Sequence, residues 1–166
     1  MTVGSDFLAD PLAAAFWIGL YLVAFVSLLV YRVAWPVALT LRHRPRVQAI
    51  VPESDDTFSL YVRGRDLARL AVRSGQFFVV RALTRRDWSH GHPFSLSAAP
   101  SGDYLRFTIK VYGDGTRALS RLAPGTPLLL EGPYGAMHGG RRTGRRLLLV
   151  AGGIGIAPIR ALAEGF

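Results

Sequence analysis

The tetrapeptide His92-Pro93-Phe94-Ser95 sets an aromatic ring and a hydroxyl on consecutive residues. In an extended segment such neighbours point in opposite directions, so Phe94 and Ser95 can meet different parts of one planar ligand. A flavin asks for such a set: an aromatic face for its rings, a hydroxyl near N5, and donors for its pyrophosphate. The same residues also read as a core aromatic and an ordinary strand hydroxyl, and the tetrapeptide alone leaves both readings open. Gly113-Asp114-Gly115-Thr116 is the second candidate. It presents backbone N–H groups at a helix start, where amides and dipole bind phosphate. A capped helix after a tight turn is the plainer alternative. Gly132-Pro133-Tyr134-Gly135 is a rigid turn carrying an aromatic, or simply a β-turn. Gly152-Gly153-Ile154-Gly155-Ile156-Ala157-Pro158 is the last. Its three glycines allow close approach of a pyrophosphate, and Pro158 suits a first helical turn.

Other chemistries find little support. The chain has no cysteine, which excludes disulfides, thiolate zinc sites, iron–sulfur ligation and cysteine catalysis. His43, His90, His92 and His138 have no metal-binding spacing with nearby carboxylates, so no metal site is expected. No nucleophile elbow and no acid–base carboxylate pair stands out. The net charge of +9 is almost all arginine, with Lys110 the only lysine. Arginine forks suit phosphates, and they also simply solvate surfaces. The basic stretches lack the interleaved aromatics of single-strand binders, so no nucleic acid is expected as partner.

The elements that must position these groups fall into three textures. Residues 1–10 form an acidic N-terminal tail. Pro11 to Tyr31 carries no charge and is apolar on every face; at ~1.5 Å per residue it covers about 31 Å, enough for a bilayer core. A transmembrane helix is expected over 11–35, with Trp17 and Tyr31 near the interfaces. Asp6 and Asp10 precede it and Arg32, Arg42, Arg44 and Arg46 follow. The positive-inside rule then places the N-terminus outside and the rest in the cytoplasm, as a single-pass protein of the cell membrane. A signal peptide would need a basic start and a shorter apolar core. The helix contains no histidine, so no haem is expected on this chain.

From residue 46 the pattern shifts to period two. Strands are expected at Arg46–Val51, Thr57–Val62, Gln76–Arg81, His92–Ala98, Tyr104–Val111 and Pro127–Glu131. Leu105, Phe107, Ile109 and Val111 share one face of the fifth, with Arg106, Thr108 and Lys110 on the other. Six short strands and one helix, Thr116–Leu122 with Thr116 as N-cap, suit a small antiparallel barrel over 36–136. Residues 137–145 read as a linker. Arg146–Ala151 reads as a strand buried on both faces, and a helix follows from Ile159. Residues 146–166 therefore look like the opening of an α/β nucleotide-binding domain. The expected fold is mainly β: one transmembrane helix, a six-stranded antiparallel barrel, and an incomplete α/β segment.

The order of the motifs adds to this. HPFSLSAAP, IKVYGDGTRAL, EGPYG and LLLVAGGIGIAP, in that sequence, resemble the ferredoxin–NADP reductase superfamily. The HPFS form and the preceding GQFFVVRAL are similar to its ferric reductase and NADPH oxidase branch. The resemblance implies that the barrel binds FAD. Phe94 would stack on the flavin, Ser95 would reach N5 as the catalytic hydroxyl, and His92 and Pro93 would complete the motif. Soluble relatives often carry arginine where His92 stands. Gly113, Thr116 and Arg117 would contact the FAD pyrophosphate, and Gly152, Gly153 and Gly155 would lie under the NAD(P)H pyrophosphate. The implied activity is a membrane-bound FAD-dependent oxidoreductase relaying electrons from NAD(P)H toward haem, ferric iron or oxygen. Full members carry several haem-bearing helices and a whole second domain. This chain is therefore expected to be truncated at both ends, with an incomplete NAD(P)H site. Membrane lipid, a haem-bearing membrane subunit and a nicotinamide-domain chain are the implied partners. A non-catalytic FAD-binding subunit and a non-functional remnant are the alternatives.

Overall fold

The computed structural model describes residues 10–144 and 146–166. The chain separates into two units, one through Val37 and one from Ala38 to Phe166. Among its described residues the first is helical. Helix α1 (Pro11–Leu29) starts where Asp10 accepts a 2.9 Å hydrogen bond from the Leu12 N–H, and Pro11 needs no partner at the first helical position. None of its side chains is buried. A π-helical turn at Val30–Ala34 passes into α2 (Trp35–His43). The run Pro11–His43 is long and apolar enough to cross a membrane. It extends beyond the expected boundary and continues through Pro36, which falls just after the π-helical turn where the hydrogen-bond ladder is already shifted. The helix stops at Arg44, whose φ of 46° is left-handed, followed by Pro45.

The second unit is built from six antiparallel strands: β1 (Arg46–Ser54), β2 (Thr57–Arg63), β3 (Phe77–Ala82), β4 (His92–Ser95), β5 (Tyr104–Lys110) and β6 (Leu128–Tyr134). They form two three-stranded sheets, ordered β1-β2-β5 and β4-β3-β6. All six expected strands are present, and together the sheets make the expected antiparallel barrel. The ladders do not close into one continuous ring among the described residues. The sheets are joined instead at their corners. Arg46 bridges Pro127 on one side, and the Ser97 N–H donates to the Arg106 carbonyl on the other. Period-two alternation puts Phe58, Leu60 and Val62, Leu105, Phe107 and Ile109, and Phe78 and Val80 into one core with Leu96, Leu128 and Leu130. Phe78 and Phe107 meet edge to face across it, 6.2 Å between centroids.

Three expectations need correction. Helix α3 spans Asp114–Leu119 and its N-cap is Gly113. Thr116 is the third helical residue; its Oγ1 accepts from the Gly113 and Tyr112 N–H groups at 3.2 and 2.9 Å, which is the reciprocal half of a capping box. Residues 146–151 form no strand, and Leu147, Leu148 and Val150 are exposed. A parallel strand needs neighbours for its N–H and C=O groups, and this segment has none among the described residues. The last helix, α4 (Ile156–Glu164), begins three residues earlier than expected, after a 3₁₀ turn at Gly153–Gly155. It docks on the barrel, burying Ala157, Ala161 and Leu162.

Candidate functional site

Strand β4 carries the first motif. Its pairing with β3 sets Phe94 opposite Phe78 and Ser95 opposite Phe77. Phe94 and Ser95 are half-buried, and Pro93 is exposed. The three line one side of a cleft of about 440 Å³. Thr108, Ile109 and Lys110 of β5 and Tyr112 beyond it form the next wall. Ile154, Gly155, Ala157 and Pro158 at the start of α4 close the third. An aromatic side chain and a hydroxyl thus share one cavity with the start of α4.

His92 faces away toward the second motif. Its ring stacks on Phe94 at 6.1 Å and 29°. It also lies against the backbone of Gly115, where any Cβ would come within 2.5 Å of the imidazole. Gly115 is therefore a glycine for closeness: it lets the α3 start approach β4. The two motifs, far apart in sequence, become neighbours through this contact. The Thr116 hydroxyl is spent on the turn itself, donating to the Gly113 carbonyl at 3.0 Å. What α3 offers a ligand is its first backbone N–H groups, which have no partner inside a helix. Arg117 is exposed on the same short helix.

The third motif is only partly gathered in. Gly155 lines the cleft. Gly152 and Gly153 are exposed, and Gly153 takes the left-handed φ of 53° that favours glycine. Of the predicted residues, the structure brings Pro93, Phe94, Ser95 and Gly155 to one cleft. His92, Gly113, Thr116 and Arg117 flank it, and Gly152 and Gly153 are not among its lining residues.

Several contributors escaped the sequence reading. Thr108 and Lys110 sit on the face of β5 opposite the core, but nothing local says that β4 and α4 flank that face. Tyr112, which carried no role in the sequence motifs, is almost fully exposed at the rim, 94%. Lys110 is oriented by a 2.9 Å ion pair with Asp56. That bond, helped by Thr57, holds the Asp56 carboxyl below the usual range. Arg106 shares the expected face of β5 with Lys110, which is exposed. Arg106 is instead buried, donating from Nε to Ser97 Oγ at 3.1 Å and from its other end to the Ser97 carbonyl, with Glu164 of α4 3.8 Å away. Among the described residues no cluster of His, Cys, Asp and Glu could hold a metal.

Residues 43–138 match the FAD-binding domain family, more than half of the chain. The chain belongs to this family. As an FAD-binding domain of the ferredoxin–NADP reductase superfamily, it is similar to several known proteins. It is 30% identical to the dihydroorotate dehydrogenase B (NAD(+)) electron transfer subunit of Clostridium acetobutylicum, over 72% of this chain and 46% of that protein. It is 33% identical to respiratory burst oxidase homolog protein D of Arabidopsis thaliana, over 55% of this chain and 12% of the oxidase. Among solved structures, the ferredoxin reductase of carbazole 1,9a-dioxygenase superposes with a TM-score of 0.63 at 25% identity. The match covers 73% of this chain and 38% of the reductase. The chain spans less than half the length of these relatives. The FAD-binding domain is an electron-transfer flavoprotein fold. Phe94 and Ser95 line the cleft, and the start of α3 lies beside it through the contact of Gly115 with His92.

Proposed function

We propose that this FAD-binding domain is the flavin station of a membrane-bound NAD(P)H oxidoreductase of ferric reductase or NADPH oxidase type. One observation carries the reading: Phe94, Ser95 and the glycine turn before α4 open onto a single cleft. Bound FAD supplies the change from two-electron hydride acceptance to single-electron release toward haem, ferric iron or oxygen. The protein's own residues orient and anchor it. Phe94 gives the ring system its face, and Ser95 offers its hydroxyl to the reacting edge as the catalytic group. The α3 start with Gly113, Thr116 and Arg117, together with His92, holds the pyrophosphate. Gly155, with Gly152 and Gly153, receives the phosphates of NAD(P)H. The apolar run from Pro11 anchors the domain in the cell membrane as a single-pass protein. The arginines after it keep the barrel on the cytoplasmic side.

Absorbance of the purified full chain after FAD loading and gel filtration tests the reading. Flavin bands without a haem band are expected, and failure to retain FAD would refute it. Protease added to right-side-out vesicles should spare the barrel; digestion there would overturn the topology. A second reading is a membrane-anchored FAD subunit completed by separate haem and nicotinamide chains. It is favoured by the similarity to a protein that is itself named an electron transfer subunit.

A further inference from the structure

A second cleft, of about 600 Å³, lies away from the flavin motifs. It is lined by Arg44, Arg46, Arg63 and Arg65, with Gly64 and Gly125 between them. Arg46 and Arg63 are direct register partners on β1 and β2, and like charges facing each other across a ladder repel. None of the four arginines makes an ion pair among the described residues. Asp66 is adjacent in sequence but takes no part in a pair with them. Arg46 alone is engaged by its side chain, donating to the Gly125 carbonyl at 2.9 Å.

The backbone enforces this gathering of charge. Arg44 holds the left-handed conformation that ends α2. Buried His43 donates from Nδ1 to the Arg65 carbonyl at 2.8 Å, and the Arg65 N–H returns a 2.6 Å bond to the His43 carbonyl. Gly64 permits that approach: a Cβ there would lie 2.8 Å from the His43 oxygen and from Leu67. All four arginines are exposed, so the gathered positive charge is open to an anion from outside. Guanidinium forks match phosphate oxygens. No aromatic lines the cleft, so it has no platform for a nucleotide base. Its first arginine directly follows the apolar run Pro11–His43, and the phosphate found at the end of a membrane helix is a lipid headgroup.

We infer that the Arg44–Arg46–Arg63–Arg65 cleft binds the headgroup of an anionic phospholipid. The inference rests on the membrane reading above, and the experiment separates the two. Native mass spectrometry of the FAD-loaded full chain in micelles compares dioleoyl-phosphatidylglycerol with dioleoyl-phosphatidylcholine. Wild type should retain the anionic lipid in preference, and equal retention would overturn the cleft assignment whatever any variant does. Arg63→Gln with Arg65→Gln should lower the preference on the order of fivefold per arginine, with flavin absorbance confirming the fold. Arg85→Gln with Arg86→Gln, an equal change in charge on exposed positions elsewhere, should leave it intact; an equal loss would reduce the effect to net charge and refute the site. Glycerol 3-phosphate binding as tightly as the lipid would assign the cleft to a soluble phosphate and refute the lipid. Carbonate-resistant incorporation into pure phosphatidylcholine vesicles tests the helix alone. A chain that incorporates there without preferring phosphatidylglycerol in micelles refutes the cleft only. One that needs phosphatidylglycerol to join vesicles at all refutes the membrane-spanning helix and supports the cleft.

Discussion

Phe94 can stack on a ligand because β4 leaves it half in the core and half in the cleft. Phe94→Ala should weaken FAD by about 1–3 kcal/mol, if flavin stacks as a nucleobase does on an aromatic platform. Fluorescence titration of the apoprotein measures this, and unchanged affinity would remove Phe94 from the stacking role. Gly115 offers a second residue-scale test. A methyl group there would meet the His92 imidazole at 2.5 Å. The ring is the free end of a side chain and can swing, so Gly115→Ala should cost only about 1 kcal/mol of stability, the low end for overpacking. It should nevertheless weaken FAD, because His92 leaves Phe94 and the α3 start shifts. In a His92→Ala background the stability cost should largely vanish, a non-additivity readable in denaturant melts. Simple addition of the two effects would show that the contact does not connect the motifs.

Helix α4 is fastened by one carboxylate. Glu164 accepts from the Ala99 N–H at 3.1 Å and from Arg160 Nε at 2.8 Å, with Arg106 nearby. The Ala99 bond first, then Arg160 and Arg106, hold its carboxyl below the usual 4.5 against the opposing effect of burial. Because folding lowers this value, the stabilisation is fully present above the ordinary glutamate range. It is lost as pH falls through the lowered folded value. Amide protection in 156–164, corrected for intrinsic exchange, should therefore fall on acidification in the wild type. In Glu164→Gln it should start lower and lose that pH dependence; an identical profile would mean that Glu164 does not fasten the helix. Just upstream, 147–150 has no ladder partner among the described residues and exposed side chains. Its amides should exchange faster than those of every barrel strand, unless a partner chain adds a sheet edge. Slow exchange in a proven monomer would contradict that.

For the whole molecule, the two halves of the proposed hydride transfer are unequally built. The flavin side has its aromatic and hydroxyl on one cleft with the α3 start beside it, whereas only Gly155 of the nicotinamide glycines reaches it. Orientation of a donor against an acceptor can supply ~7–11 kcal/mol of a barrier. The 166-residue chain should therefore hold FAD yet accept electrons from NADH or NADPH slowly. Anaerobic stopped-flow bleaching should run well below the ~10 s⁻¹ typical of intact enzymes. A rate at or above that value would show that the nicotinamide is held by residues beyond the glycine turn.

Much of this was legible in the chain itself. The strands could be placed because period two is a local property: Leu105, Phe107 and Ile109 fall inside wherever the strand goes. The apolar run from Pro11 and the order of the glycine and aromatic motifs are equally local, so the helix and the family could be read directly, whereas the shared cleft of Phe94 and Ser95 with the start of α4 is a tertiary fact. What needed a partner could not. Residues 146–151 have the composition of a buried strand, but a strand exists only against another, and here its neighbours are absent among the described residues. Arg106 has the alternation of a surface residue and is buried because Ser97 and Glu164 come to meet it. The contact of His92 with Gly115 and the gathering of Arg44, Arg46, Arg63 and Arg65 both depend on which strand ends meet. That choice is made by long-range pairing and packing, whose energy resides in pairs of residues that no local window contains.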